Sequence, residues 1–253
     1  MIEVQNVKKS FGDRTILAGV SGVFETGKCN MIIGASGTGK SVLLKCIVGL
    51  VKPDEGDILF DKRNFWNSQT NIQKEIRTEI GMLFQGGALF DSMTVAQNVQ
   101  FPLDMQTKMS LSEKQDRVNF CLKRVGLEAS AQKMPSEVSG GMKKRVGIAR
   151  AIVMNSKYLF CDEPNSGLDP QTSTLIDNLI YDLTKEFNTT TVVVSHDMNS
   201  VMEIGENIMF LHQGYKVWEG NNHNIIESES AELQKFMFTN QLMRRYKQSI
   251  GLK

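Results

Sequence analysis

Gly34-Ala35-Ser36-Gly37-Thr38-Gly39-Lys40-Ser41 fits the phosphate-binding pattern GxxxxGK[ST], and it decides how the segments on either side fold. In this pattern the glycines let backbone N–H groups point at phosphates, the lysine adds positive charge, and the serine hydroxyl takes a Mg2+ coordination position. The apolar residues Met31-Ile32-Ile33 are typical of a strand, and the residues after Ser41 have helical spacing. The stretch therefore predicts a nucleoside triphosphate bound between a strand and the positive end of a helix dipole. The predicted nucleotide-binding residues here are Gly34, Ala35, Ser36, Gly37, Thr38, Gly39, Lys40, Ser41 and Val42.

Composition and charge narrow the class of protein. The chain has 253 residues, of which 41% are hydrophobic, so it can bury a sizeable core. Its 29 basic and 28 acidic residues give a net charge of +1, and without a basic field no nucleic-acid partner is predicted. The four cysteines are far apart and show no CxxC spacing, which indicates buried, reduced thiols in a reducing compartment. No run of apolar residues is long enough to cross a bilayer and no leader peptide is visible, so we expect a cytoplasmic chain.

The order of apolar and polar segments predicts an α/β fold. Residues 2–24 alternate around a turn at Gly12-Asp13, which indicates an antiparallel hairpin. Residues 94–133 have a helical pattern, and beyond residue 145 helices alternate again with apolar strands, which is typical of a largely parallel sheet covered on both faces. Further strands are predicted at 57–60, 79–84, 158–161 and 191–194. The predicted domains are a nucleotide-binding core with a β subdomain (1–84 and 151–224), a helical subdomain (85–150) and a C-terminal tail (225–253).

A second group of residues narrows the choice among kinases, GTPases and ATPases that a phosphate loop alone leaves open. The apolar run 158–161 ends in Asp162-Glu163, at the sheet edge where α/β proteins bind their ligands. Asp162 would hold Mg2+, and Glu163 would orient or deprotonate the attacking water. The alternative is two surface acids that cap the next turn. The strand at 191–194 is followed by His196, which could contact the γ-phosphate, although a single histidine is more often structural.

With these residues in place, the chain resembles the nucleotide-binding subunit of an ATP-binding cassette (ABC) transporter over residues 1 to about 220. Val138-Ser139-Gly140-Gly141-Met142 is similar to that family's LSGGQ signature, with Val138 and Met142 in place of the usual Leu and Gln. Asn165 also stands where Thr is frequent. The resemblance implies a P-loop NTPase (RecA-like) core with an N-terminal antiparallel β subdomain and an inserted helical subdomain. The remaining matches are Gln85 to the Q-loop, Ser166-Gly167-Leu168-Asp169 to the D-loop, His196 to the H-switch and Phe11 to the aromatic A-loop.

The resemblance implies how the site works. Two copies would face each other, and the partner's Ser139, Gly140, Gly141 and Asp169 would complete the cage around ATP bound to each phosphate loop. Phe11 would stack on adenine, with a hairpin core residue as the alternative. Gln85 would contact Mg2+ or the lytic water, and the segment after it would touch a membrane permease. The basic run Lys143-Lys144-Arg145 is interpreted as the solvated face of the signature helix.

Two segments, 81–103 and 134–142, are similar to Mla-type phospholipid-transport ATPases. This similarity implies a peripheral subunit on the cytoplasmic face of a bacterial inner membrane, with a lipid-handling permease and a periplasmic lipid-binding subunit as partners. An ABC transporter for another solute is the alternative, and a soluble non-transport ABC ATPase is a further one. The end of the tail, after residue 243, contains Arg244, Arg245, Lys247 and Lys253 and no acid. One interpretation is a basic amphipathic segment that lies against the membrane or the neighbouring subunit. The alternative is a frayed terminal helix.

Overall fold

The structure is a computed structural model that describes residues 1–239, so the basic part of the predicted tail lies outside the described residues. Its strands are β1 (Ile2–Phe11), β2 (Arg14–Phe24), β3 (Cys29–Ile33), β4 (Glu55–Phe60), β5 (Arg63–Asn64), β6 (Ile80–Leu83), β7 (Tyr158–Asp162), β8 (Thr190–Ser195), β9 (Asn207–His212) and β10 (Tyr215–Gly220). Its helices are α1 (Lys40–Ile47), α2 (Thr70–Thr78), α3 (Val95–Gln106), α4 (Leu111–Arg124), α5 (Gly140–Ile152), α6 (Pro170–Phe187), α7 (Met198–Ile204) and α8 (Ala231–Met237).

An antiparallel sheet in the order β2-β1-β4-β5 covers one side of the molecule. The predicted hairpin is confirmed: β1 and β2 pair antiparallel, and Gly12 turns the chain between them with a φ of 57°. Ile2 and Val4 face the core because side chains alternate between the faces of a strand, and an irregularity of the pairing between Val4 and Val7 returns Val7 to the same face. This sheet packs beside the phosphate loop, since a Cβ on Gly39 would lie 2.9 Å from the carbonyl oxygen of Ile16 on β2.

The second sheet has the order β10-β9-β3-β8-β7-β6 and positions the site. Its strands run parallel except for β10, which pairs antiparallel with β9 at the edge. Every residue of β3, β7 and β8 is buried, as expected for parallel strands covered by helices on both faces. In the register Ile33 lies opposite Ser195, and Asp162 opposite Val194. The carboxyl ends of the three strands therefore deliver the phosphate loop, the acidic pair and His196 to one edge.

Helices α3 and α4 lie within residues 94–133, which the sequence predicts as helical, and α5 follows them. Thr94 and Ser110 begin α3 and α4 with capping boxes, in which each hydroxyl accepts from a backbone N–H three residues later. The predicted helical pattern is confirmed in α4, where Val118, Cys121 and Leu122 are buried on one face. The division of the chain into domains at the predicted residue numbers stays a prediction.

All four cysteines are free and buried, as the sequence predicts. Burial raises the pKa of Cys29 to about 12 and the pKa values of Cys46 and Cys121 to about 11. Burial also raises the pKa of Cys161 well above its usual range. Among residues 1–239, no helix has both the length and the apolar character needed to span a membrane.

Candidate nucleotide-binding and hydrolysis site

The phosphate loop lies between β3 and α1, and its backbone requires glycine at both ends. Gly34 has a φ of 148°, and a Cβ there would lie 2.4 Å from the carbonyl oxygen of Leu211. Gly39 caps α1 in the left-handed conformation with a φ of 105°. Between them Ala35, Ser36 and Gly37 are exposed, so their backbone can approach a ligand. The loop thus has the open concave backbone that a chain of phosphates needs.

Lys40 places its ammonium inside this loop. Its Nζ donates to the carbonyl oxygens of Gly34, at 2.8 Å, and Ala35, at 3.0 Å. Burial lowers the pKa of Lys40, and the nearby Glu163 and Asp162 oppose that effect. The ammonium therefore occupies the position from which it can turn to bound phosphates.

Other loop residues shape the backbone. Thr38 Oγ1 donates to the Ala35 carbonyl at 2.9 Å. Val42 lies in the first turn of α1 and packs partly against the core. These contacts hold the loop in place and leave the exposed backbone of residues 35–37 available to a nucleotide.

Ser41 and Asp162 form the candidate Mg2+ site. The Ser41 hydroxyl donates to Asp162 Oδ1 at 3.4 Å, across the gap between α1 and the end of β7. Burial raises the pKa of Asp162, and the neighbouring Glu163 carboxylate adds to the rise, so a cation would relieve this charge repulsion. Residues 1–239 contain no group of three His, Cys, Asp or Glu side chains able to hold a metal alone. The hydroxyl and carboxylate fit Mg2+ that also takes oxygens from phosphates and water.

Glu163 and His196 face each other next to this pair. His196 Nδ1 lies 2.7 Å from Glu163 Oε2, and the side chains are 59% and 14% exposed, respectively. Glu163 has a φ of 49°, a left-handed conformation that is uncommon outside glycine, and its N–H donates to Val194 O at 2.9 Å. The contact fixes the Glu163 carboxylate at the open side of the site, where a water could be oriented.

Gln85 reaches the same region from the end of β6. It is exposed, and its Nε2 donates to Ser166 Oγ at 3.4 Å, in the loop that follows Glu163. A cavity of about 740 Å³ opens between this loop and the phosphate loop, bordered by Ser36, Glu163, His196 and, from α8, Phe236. The cavity is thus bordered by predicted phosphate-loop and catalytic residues, and Gln85 contacts its edge through Ser166.

The signature residues lie elsewhere. Ser139 caps α5 by accepting from Met142 N–H at 3.3 Å, and both Ser139 and Gly140 are exposed. Ser139 and Gly141 line a separate cavity of about 290 Å³ together with Thr172. Gly141 packs so closely that a Cβ would lie 2.5 Å from Thr172 Cγ2. The structure thus places these predicted nucleotide contacts away from the chain's own phosphate loop.

Asp169 and Phe11 are also exposed. Asp169 caps α6, where it accepts from Thr172 N–H at 3.0 Å and from its hydroxyl at 2.6 Å. Phe11 is 53% exposed at the tip of the β1–β2 hairpin, with the Lys9 ammonium 5.4 Å from its ring centroid. The alternative that Phe11 is a hairpin core residue is therefore wrong, while its stacking on adenine stays a prediction.

The interpretation of the basic run as a solvated face is wrong. Lys144 is only 5% exposed, and its Nζ donates to the carbonyl oxygens of Gln85 and, at 3.3 Å, of Glu163. Arg145 is half-buried and donates to Val125 O at 3.0 Å. A signal was present in the sequence, because Lys144 shares a helix face with Gly141 and Ile148 at spacings of three and four.

A buried polar cluster behind the acidic pair was not predicted. Asn165 Nδ2 donates to Asp177 Oδ2 and to Ser200 Oγ, both at 2.9 Å. Asp177 is 3% exposed, and burial raises its pKa to about 6. The cluster ties the loop after Glu163 to α6 and to α7, which follows His196. Its hydrogen-bonded residues are up to 35 positions apart in the sequence, so no local sequence pattern predicts the cluster.

The fold and site define a P-loop nucleoside triphosphatase. A family model described as ABC transporter matches residues 17–166, and the chain belongs to this family. Its members are ATPases, and ATP and Mg2+ are the ligands of such domains.

The predicted P-loop fold is also confirmed by solved structures. A dimeric bacterial ABC transporter cassette, MJ0796, is 34% identical with a TM-score of 0.80, covering 88% of this chain and 99% of that one. CbiO1 of Clostridium perfringens, part of an ABC transporter complex, is 30% identical with a TM-score of 0.83, covering 97% and 98%.

Characterised relatives have several cargoes in their names. The chain is 39% identical to the probable ribonucleotide transport ATP-binding protein mkl of Mycobacterium leprae, over 93% of this chain and 68% of that protein. It is 36% identical to the intermembrane phospholipid transport system ATP-binding protein MlaF of Haemophilus influenzae, over 94% and 90%. It is 37% identical to the methionine import ATP-binding protein MetN 2 of Bacillus anthracis, over 94% and 71%. The chain thus spans about two thirds of the mycobacterial relative and most of MlaF.

Proposed function

We propose that this chain is the ATP-hydrolysing motor of a bacterial inner-membrane ABC transporter that moves phospholipid. The observation that carries the motor is the Glu163–His196 contact beside Ser41 and Asp162. In the proposed reaction a water attacks the γ-phosphorus, the bond to the bridging oxygen of ADP breaks, and the proton of the water goes to Glu163. His196 holds the carboxylate toward the water, and Lys40 contacts the phosphates. Mg2+, held by Ser41 and Asp162 with Gln85 nearby, would neutralise phosphate charge.

Two copies would build the complete site. Ser139 and Gly140 present a helix N-terminus to solvent, and a helix N-terminus favours anions. In a facing dimer these groups would meet the γ-phosphate held by the partner, with Asp169 nearby. The similarity to a dimeric cassette supports this arrangement.

A membrane permease would dock on an apolar groove beside Gln85. The groove has a volume of about 460 Å³, and Met82, Phe84, Phe90 and Phe101 line it. Phe84 and Phe90 are exposed although both are large and apolar, which is typical of a surface that a partner covers. A permease partner is supported by the similarity to CbiO1, which is part of an ABC transporter complex. Movement of the Gln85 segment would then couple hydrolysis to transport.

Phospholipid as cargo rests on the similarity to MlaF, which covers 90% of that protein. On this proposal the chain is peripheral to the cytoplasmic face of the inner membrane. A periplasmic lipid-binding subunit would be a further partner. A different solute is the second candidate, and the similarity to a methionine importer favours it.

The test is to isolate the full chain with its partners from detergent-solubilised native membranes and to identify proteins and lipids by mass spectrometry. A permease, a periplasmic lipid-binding subunit and stoichiometric phospholipid are expected. A permease with a solute-binding protein and no lipid would contradict the phospholipid proposal, but the chain would still be the ATP-hydrolysing subunit of a transporter. Recovery of a soluble chain without any membrane protein would contradict the transport role itself.

A further inference from the structure

Lys144 is a buried cation in the middle of the nucleotide machinery. It lies on α5, one turn after the signature residues, and its side chain reaches the backbone just after the ends of β6 and β7. Burying an ammonium is costly unless hydrogen bonds and charges compensate it. Here the Gln85 and Glu163 carbonyl oxygens accept from Nζ, and the Glu163 and Asp162 carboxylates supply negative charge that opposes the effect of burial on the pKa of Lys144.

The bond to Glu163 acts on a residue held in an uncommon conformation. The left-handed backbone of Glu163, with a φ of 49°, persists only where its surroundings hold it. The N–H of Glu163 donates to Val194 O, its carboxylate contacts His196, and its carbonyl accepts from Lys144. Loss of the Lys144 bond would free the carbonyl end of the residue that orients the water.

The helix that carries Lys144 begins with groups that bind nothing in their own chain's phosphate loop. Ser139 and Gly140 are exposed at the N-terminus of α5, whereas Lys144 is buried one turn later. An α-helix moves as a rigid rod over such a short distance, because each turn is hydrogen-bonded to the next. Any displacement of Ser139 therefore reaches Lys144, and through it Gln85 and Glu163.

We propose that Lys144 couples the two ATP sites of the dimer. ATP on the partner's phosphate loop fixes the N-terminus of α5, α5 fixes Lys144, and Lys144 fixes the Glu163 that hydrolyses the ATP on its own chain. Lys144 is a positioning residue, since it contacts backbone and not nucleotide. The inference rests on the proposed shared sites and adds a route by which one site senses the other.

The test compares Lys144→Met with Arg145→Met in the purified full chain. Arg145 is the matched control, because it is a neighbouring cation on α5 that also donates to a backbone carbonyl, but to that of Val125 and not to those of Gln85 and Glu163. The rate of phosphate release is measured against ATP concentration, and ATP binding is measured separately with a fluorescent nucleotide. Lys144→Arg tests whether another buried cation restores the coupling.

We expect Lys144→Met to lower kcat roughly tenfold, to change the ATP dissociation constant less than about threefold, and to reduce the Hill coefficient of hydrolysis towards about 1. Arg145→Met should keep the wild-type Hill coefficient, and Lys144→Arg should recover part of it. A Hill coefficient near 1 in the wild type, or one that Lys144→Met leaves unchanged, overturns the inference. Equal losses in Lys144→Met and Arg145→Met also overturn it, since a purely structural effect would explain both.

A separate measurement distinguishes failure of the inference from failure of the shared-site proposal. Mixed dimers carry Ser139→Arg in one copy and an intact signature in the other. If turnover is insensitive to Ser139→Arg, the shared sites are wrong. If turnover depends on Ser139 but Lys144→Met leaves the Hill coefficient unchanged, the shared sites stand and only the proposed coupling through Lys144 is wrong.

Discussion

The two groups of predicted nucleotide-site residues differ in how many of their contacts are made within one chain. The hydrolysis half (Lys40, Ser41, Asp162, Glu163 and His196) is held by hydrogen bonds and ion contacts at one sheet edge. The capping half (Ser139, Gly140 and Gly141) has an exposed helix N-terminus, and it lines a different cavity. Both halves belong to the same α/β fold. Only in the hydrolysis half do the side chains contact one another within the chain.

This difference teaches that pre-organisation is unevenly distributed. In the proposed reaction, the groups that act on the phosphate are positioned in advance, which would reduce the reorganisation needed. Ser139 and Gly140, which we propose to close the site, are exposed to solvent, so that ATP would enter before a second copy arrives. The following variants act on one half at a time, and they separate chemistry, binding, closure and stability.

Glu163→Gln should have the largest effect on the hydrolysis half. The amide cannot accept the proton of the water, so we expect turnover to fall at least about a hundredfold, or about 3 kcal/mol of transition-state stabilisation. ATP should still bind and hold two copies together. Phosphate release and size-exclusion chromatography with ATP measure the two effects. Glu203→Gln, at an exposed position on α7, is the control, and substantial turnover in Glu163→Gln would remove Glu163 from its role.

Lys40→Ala should instead weaken ATP binding. It removes a charged hydrogen-bond donor from the loop, and such a bond contributes about 1.5–3 kcal/mol, so the dissociation constant should rise roughly tenfold to a hundredfold. Isothermal titration calorimetry measures it. Lys52→Ala removes an exposed lysine a few residues after the same helix and should leave ATP affinity nearly unchanged. An unaltered affinity in Lys40→Ala would show that the ammonium does not contact phosphate.

Ser139→Asp tests the capping half. Aspartate is as good an N-cap as serine, so α5 should stay stable, but its charge would repel a γ-phosphate. We expect turnover to fall roughly tenfold while ATP affinity of the separate chain is kept. Steady-state rates and thermal unfolding follow the two quantities, with Ser139→Thr as the conservative control. If Ser139→Asp hydrolyses ATP normally, Ser139 does not face a phosphate.

Asp177→Asn should have the smallest effect, and it concerns stability. The pKa of Asp177 is raised to about 6 in the folded chain from 3.8, so its contribution to stability is present below pH 3.8 and is lost as pH rises through about 6. The ceiling of this loss is about 3 kcal/mol. Asp177 borders a water-accessible cavity of about 450 Å³, so we expect a gain of about 1 kcal/mol for Asp177→Asn at pH 8.

This gain should disappear near pH 4, where the wild-type carboxyl is neutral in the folded chain. Urea unfolding at both pH values measures the difference. Asp182→Asn, which changes an exposed acid on the same helix, should show no such pH dependence. A gain of equal size at pH 4 and pH 8 would contradict ionisation of Asp177 as the cause.

Sequence predicted the parts of the molecule that short-range spacing encodes. The phosphate loop after β3, the acids at the end of β7 and His196 after β8 each lie at the carboxyl end of a buried strand, and a parallel sheet brings these ends together. The hairpin at residues 2–24 and the apolar face of α4 follow from periods of two and 3.6 residues. These regularities need no knowledge of the rest of the chain.

The remainder depends on contacts that spacing does not encode. Lys144 belongs to a basic run, and the helix face that it shares with Gly141 and Ile148 is only a weak signal of burial. Its hydrogen bonds to the carbonyl oxygens of Gln85 and Glu163 depend on how the strands and α5 pack together. Asn165, Asp177 and Ser200 come from three segments, so their hydrogen bonds exist only in the assembled fold. Shape complementarity and desolvation decide such cases, and both are properties of the packed chain.

The buried thiols make this protein suitable for site-specific labelling. Maleimides react with thiolates, and raised pKa values together with burial keep all four native cysteines protonated and out of reach near neutral pH. A cysteine introduced at the exposed position of Asp182 would therefore be modified selectively, without first replacing the native residues. Spin labels attached there could report the distance between two copies through a whole hydrolysis cycle.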